Sequence, residues 1–222
     1  RIITPLKDRY AAQVRTHYPA TRELELRIVR QEARMPEAPG LAVFVPGFMA
    51  DIVGELTLQA RSSPDVNQAS GVSVRMSIAN YETLAANALR RALALGEREA
   101  VPRITDLEAL VTGTSGKLEL EYAGEERAEG AVVRGLVSRS IRGVFDAIVP
   151  LEGMASVVDS FQQGWKVEVA ADMRATDYLD GLDEIPGLRE AAALLAGGDS
   201  PERLAAAIEF LLEGLHLSNR LN

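Results

Sequence analysis

Apolar residues recur every three to four positions along much of the chain, and glycine or proline marks most of the places where the rhythm stops. From Thr21 to about Arg34, Leu24, Ile28 and Ala33 fall roughly on one face, alongside Val29. Thr21 stands at the N-cap, and Pro36, Pro39 and Gly40 close the segment. From about Gly47 to Arg61, Phe48, Ile52, Leu56 and Ala60 form an i, i+4 stripe. The longest predicted helix runs from Val74 to about Leu95, with Ile78, Tyr81, Ala85, Ala88 and Ala92 aligned. Ser73 is its predicted N-cap and Gly96 its stop.

Shorter helices are predicted over Thr4–Tyr10, Ile104–Val111, Met154–Gly164, Tyr178–Leu182 and Leu188–Leu195. A longer one runs from about Glu129 to Val149 and ends at Pro150, and a closing one from Ser200 to about His216 opens with Ser-Pro. Gln13–Tyr18, rich in β-formers, reads as a short strand; Lys117–Tyr122 and Trp165–Val169 read as extended pieces. Ser62–Asp65 and Asn67–Gly71 make a polar loop, and the acidic stretch Tyr122–Gly130 is the predicted boundary between two helical units. The pattern is that of a mainly α chain.

Composition narrows the chemistry. Of 222 residues, 47% are apolar and only 5% aromatic, enough to bury a core and poor material for a β-sandwich. The absence of cysteine excludes disulfides, zinc ribbons, iron–sulfur centres and thiol catalysis. His17 and His216 have no metal-ligand spacing. No apolar run approaches the roughly 20 residues of a spanning helix, and Arg1-Ile-Ile-Thr-Pro, which runs into charge within a few residues, does not read as a signal peptide, so none is expected. The expectation is a soluble cytoplasmic protein.

Twenty-four Lys and Arg against 32 Asp and Glu make the net charge −8. It is unevenly placed. Residues 1–35 carry eight bases and four acids (+4), residues 36–151 carry 11 and 15 (−4), and residues 152–222 carry five and 13 (−8). The basic end reads either as a fluctuation over a short window or as a surface facing a polyanion. The overall sign argues against nucleic acid and membrane as partners, as does the lack of aromatics interleaved with the arginines.

The sequence carries no complete active-site motif. Gly113-Thr-Ser-Gly116-Lys117 has two residues between its glycines and Leu118 after the lysine, so it fails as a phosphate loop. Asp106/Glu108 and Asp180/Asp183/Glu184 read as solvated carboxylates at helix ends, and His216 as a packed or surface histidine. Arg75 sits in the first turn of the longest helix, where a cation opposes the helix dipole. Spacing alone makes it a solvent-facing or carboxylate-paired side chain; a phosphate docked on the helix start would make it an asset. Arg9, taken alone, is another surface arginine.

Three segments in order, Ile2-Ile-Thr-Pro-Leu-Lys-Asp-Arg9-Tyr, Val14-Arg-Thr-His-Tyr-Pro19 and Ser70-Gly-Val-Ser-Val-Arg75-Met-Ser-Ile-Ala-Asn-Tyr-Glu82, resemble the second half of an AAA+ ATPase of the magnesium-chelatase small-subunit (MoxR-like) clade. The resemblance runs from Arg1 to about Tyr122, and the acidic tail resembles the helical extension of a chelatase-like subgroup. It implies the C-terminal remnant of an α/β nucleotide-binding core (1–22), a helical lid domain (23–124) and a further helical region (125–222). Arg9, in Leu6-Lys-Asp-Arg9-Tyr, matches the family's arginine finger, with Tyr10 in place of the usual Phe; such a residue acts in trans on a neighbour's ATP. Arg75 matches the sensor-2 arginine, which touches the γ-phosphate in its own subunit.

The same resemblance implies ATP and Mg²⁺ as cofactors, held mainly by Walker motifs that in the family lie upstream of these segments. It also implies a homo-oligomeric ring, hexameric in the family, and a protein substrate or partner subunit. The chain is expected to be a fragment, inactive alone, of an ATPase that drives remodelling or metal-chelatase-type assembly. A stand-alone helical interaction module without ATPase activity is the alternative.

Overall fold

The computed structural model describes residues 5, 8–12, 14–121, 126–167, 170, 172–182 and 184–221. The chain is mainly α. In order, the elements are α1 (Arg22–Glu32), β1 (Ala42–Val43), α2 (Gly47–Ser62), α3 (Val74–Leu95) and β2 (Glu99–Ala100). A 3₁₀ turn (Ile104–Leu107) leads into α4 (Glu108–Thr114), followed by α5 (Glu126–Ile148). A second 3₁₀ turn (Leu151–Met154) then precedes α6 (Ala155–Gln162), α7 (Ala175–Asp180), α8 (Leu188–Ala196) and α9 (Pro201–Leu217).

Local chemistry sets the main helix ends where the sequence places them. Thr21 Oγ1 accepts from the Leu24 amide, Ser73 Oγ from the Arg75 amide and Ser200 Oγ from the Arg203 amide, each satisfying a donor that has no partner inside its helix. Gly96 ends α3 in the left-handed region at φ 67°, which a side chain would make costly.

Packing builds one apolar cluster from α2, α3, α5 and the C-terminal helices, drawing residues from Phe48 to Leu215 and thus from both sides of position 124. At its centre Phe48 stacks on Phe210 at 4.6 Å, and Phe210 meets Phe145 edge-on at 6.0 Å. α9 is also tied to β2. Arg203 donates from Nε to Glu99 Oε2 at 2.8 Å, Ser200 Oγ donates to the same oxygen, and the Arg203 guanidinium lies 3.6 Å from the Phe44 ring centroid.

Several predicted elements come out differently. Within Gln13–Tyr18, residues 14–18 form no strand and lie exposed, so no sheet partner supplies the pairing that β-formers need; Gln13 is outside the described residues. Of the predicted Thr4–Tyr10 helix, Thr4, Leu6 and Lys7 are outside them as well, and Asp8–Arg9 form a turn. The Ile104–Val111 helix is split, because Asp106 accepts from the Arg103 amide and tightens the first turn to 3₁₀.

Lys117–Tyr122 is extended only near Leu120. There Asn67 and Glu121 donate backbone bonds to Glu119 and Asp65 across the polar loop; Tyr122 is not described. Glu126–Gly130, read as boundary, already belongs to α5. Trp165–Val167 form no strand, and residues 168–169 lie outside the described set. The parallel pair of β1 with β2, Ala42 to Glu99 and Val43 to Ala100, had no sequence signal, since two residues are too short to show a period.

Candidate functional site

The site begins with the first turn of α3. Ser73 is extended (φ −75°, ψ 149°) and caps the helix, which puts Arg75 one residue inside it. Arg75 is exposed and makes no side-chain hydrogen bond or ion pair among the described residues. Its neighbours point the other way: Met76 and Ser77 are buried. Helical geometry therefore separates the exposed guanidinium from an anchored face.

That anchored face carries a polar network. Ser77 Oγ donates to Glu25 Oε1 at 2.7 Å, and Thr57 Oγ1 lies 2.6 Å from Ser77 Oγ. Glu25 is completely buried in α1, and Arg61 at the end of α2 meets both of its oxygens, at 2.9 and 3.1 Å. Two-point contact of this kind suits a buried carboxylate, because each oxygen keeps a donor after leaving water.

The exposed N-terminal arm reaches the same end of the molecule. His17, Tyr18 and Pro19 join Arg27, Gln31 and Ser73 around a groove of about 500 Å³. Arg9 is exposed in its turn and, like Arg75, has no side-chain partner among the described residues. Both arginines are open to solvent, and no hydrogen bond or ion pair joins them.

Other sequence candidates find structural roles. Lys117 Nζ donates to the Gly113 carbonyl, and Gly113 lies inside α4, so the Gly113–Lys117 segment is a helix end. Glu108 is exposed and pairs with Arg134. Asp106 corrects the expectation of a solvated carboxylate. It is 2% exposed and accepts from Arg91, from Asn87 Nδ2 at 2.8 Å and from the Arg103 amide at 2.8 Å. Asp183 is outside the described residues. His216 is exposed at the edge of a cavity lined also by Trp165 and Glu209. Among the described residues no three His, Asp or Glu side chains group as metal ligands, and no helix is long and apolar enough to cross a membrane.

Among the described residues Glu209 is the most perturbed carboxylate. Burial pushes it up to about 7, against the opposing pull of the Arg103 guanidinium and the Thr105 amide. A carboxyl raised on folding stabilises the folded state below its ordinary range and loses that contribution as pH rises through the folded value. Stability is thus expected to fall between about pH 4.5 and 7, by up to about 1.4 kcal/mol per unit from this group. In Glu209→Gln this part of the slope should vanish from urea melts across that range. An unchanged slope would assign it to other groups.

Residue patterning had singled out none of Glu25, Arg61, Arg91, Arg103 or Glu209. Each sits in a helix or a turn as an ordinary charged position, and only its distant partner makes it special. No family model, no curated protein and no solved structure matches this chain.

Proposed function

We propose that this chain is the lid-bearing C-terminal part of an AAA+ ATPase of the magnesium-chelatase small-subunit (MoxR-like) clade. Its segments 1–22, 23–124 and 125–222 are then the end of the nucleotide core, the helical lid and a C-terminal extension. Arg75 acts as sensor 2 toward the γ-phosphate of its own subunit. Arg9 acts as the arginine finger of the adjacent subunit in a ring, and a client protein or partner subunit receives the work.

One observation carries the reading: Arg75 is an exposed arginine, without a partner among the described residues, at the N-terminus of a capped 22-residue helix. Held against the helix dipole, such a cation costs up to about 1 kcal/mol. An anion docked at that helix start reverses the sign, because helix amides and guanidinium then serve the same charge. The residues of this chain suit the terminal phosphates of ATP and supply no phosphate loop. The reading therefore requires a Gly-x4-Gly-Lys-Ser/Thr motif before Arg1, which would hold most of the Mg-ATP.

In the full-length gene product, Arg75→Ala is expected to lower ATP turnover about tenfold, the worth of a hydrogen bond to a charged group. Arg9→Ala should lower turnover while leaving nucleotide binding in place. Steady-state hydrolysis and equilibrium binding of ATP separate the two.

A second reading, an interaction module without ATPase activity, draws on a groove of about 400 Å³ lined by Ile148, Val149, Met154, Leu194 and Leu211. Leu194 at its edge is 86% exposed. Unchanged turnover in both arginine variants would favour that reading.

A further inference from the structure

Three other parts of the chain converge on the guanidinium of Arg61. Arg61, at the end of α2, pairs with Glu25 of α1 through both terminal nitrogens. Its Nε donates to the Val72 carbonyl at 2.9 Å, one residue before the cap of α3. Its guanidinium carbon lies 4.5 Å from the centroid of the Tyr18 ring, which belongs to the N-terminal arm. Through Glu25 it also reaches Ser77, one turn inside α3. Arg61 therefore grips the start of α3 on both sides of Arg75 in sequence, at Val72 and, by way of Glu25, at Ser77.

The Tyr18 contact is separable from the rest. The Glu25–Arg61 pair and its hydroxyl partners account for a buried structural network without any aromatic ring. Tyr18 is half exposed, and residues 14–17 beside it are exposed too. At the hydroxyl end of the ring lies Gly71, in the left-handed region at φ +73°; a Cβ there would stand 2.2 Å from the Tyr18 hydroxyl oxygen. Glycine at this position thus serves two ends, the backbone turn and the room for the Tyr18 hydroxyl.

We infer that Arg61 is a positioning residue: its guanidinium clamps the arm, through Tyr18, to the first turn of α3, so that the arm leading from Arg9 and the helix bearing Arg75 keep one relative geometry. The mechanical clamp stands on these contacts alone. Its effect on catalysis rests on the ATPase reading above. Arg75 touches the nucleotide in that reading; Arg61 acts through it.

Arg61→Ala leaves Glu25 buried without its partner and threatens the fold, so the test uses the arm side of the contact. Limited trypsin digestion after Arg15 reports the clamp, because the protease needs the flanking residues extended and Tyr18 lies three positions away. Tyr18→Ala is expected to speed that cleavage about two- to fivefold, the equilibrium factor of a partly exposed cation–π contact. Its melting temperature should stay close to wild type. Gly71→Ala should speed cleavage by pushing the Tyr18 hydroxyl, and with it the ring, off its place, whereas Tyr18→Phe, which keeps the ring face, should cleave at the wild-type rate. Equal cleavage rates in wild type, Tyr18→Ala and Gly71→Ala would overturn the clamp.

In the full-length gene product, Tyr18→Ala should raise KM for ATP or lower kcat two- to fivefold, on the same estimate of the lost contact, with Tyr18→Phe unaffected. Faster cleavage with unchanged kcat and KM would overturn the positioning role. Absence of ATP hydrolysis in the wild-type gene product would instead overturn the ATPase reading, leaving the digestion result to decide the clamp.

Discussion

Arg91→Ala is expected to destabilise the fold by about 3–5 kcal/mol, read as a lowered midpoint in urea or guanidinium melts at constant m-value. Arg91 lies in α3 with its side chain 4% exposed, facing Glu97 and Asp106 side chains at 3% and 2%. It donates to Glu97 Oε2 at 2.8 Å, Asp106 Oδ2 at 3.0 Å and the Val101 carbonyl at 2.7 Å. The cost does not measure the attraction of the pairs, which desolvation largely offsets. It measures two carboxylates left in the interior without their cation.

Arg134→Ala makes the comparison. Arg134 meets Glu108 at 2.9 Å, as close as the buried contacts, yet its side chain is 55% exposed and its partner's 67%. Water already screens that pair, and its loss should change stability by no more than about 0.5 kcal/mol. Equal effects in the two variants would show that burial does not set the worth of these contacts.

Gly214→Ala should cost about 3 kcal/mol or more, the upper end for an overpacked core. Alanine normally improves a helix interior by about 0.5–1 kcal/mol over glycine. At Gly214 in α9, however, a Cβ would meet Phe145 Cδ2 at 2.0 Å and Cγ at 2.3 Å. Phe145 is fully buried and braced edge-on by Phe210, which itself stacks on Phe48. The ring has no space to yield, so the clash outweighs the gain in propensity. Gly135→Ala in α5 has the opposite expected sign. Its nearest neighbour there is the end of the Arg139 side chain at 3.6 Å, an ordinary contact, and a gain of about 0.5–1 kcal/mol is expected. Thermal or chemical melts of the two variants test both signs.

The candidate site was legible in part. Ser73 as N-cap and Gly96 as stop place Arg75 at the start of α3, and the structure has the helix over the same residues, Val74–Leu95. Exposure of Arg75 was one of two outcomes its spacing allowed. In the sequence Arg61 is only the last residue of an amphipathic helix, and its grip on Glu25, Val72 and Tyr18 has no local signal. Asp106 departs from expectation because a carboxylate beside a helix start ordinarily caps it in water, whereas here Arg91 and the Arg103 amide enclose it.

What the sequence by itself determined is the set of main helices and those of their ends that carry a cap or a glycine stop. Caps such as Thr21, Ser73 and Ser200-Pro201 act on amides within three positions, and periodicity follows from a fixed 3.6-residue turn. Only the tertiary structure decided which charges go inside and whom they meet. Glu25 finds Arg61 across 36 positions and Ser77 across 52, while Glu99 finds Arg203 across 104. A buried charge is tolerable only once its partner has been delivered. That delivery depends on how helices pack, which no window of neighbouring residues contains.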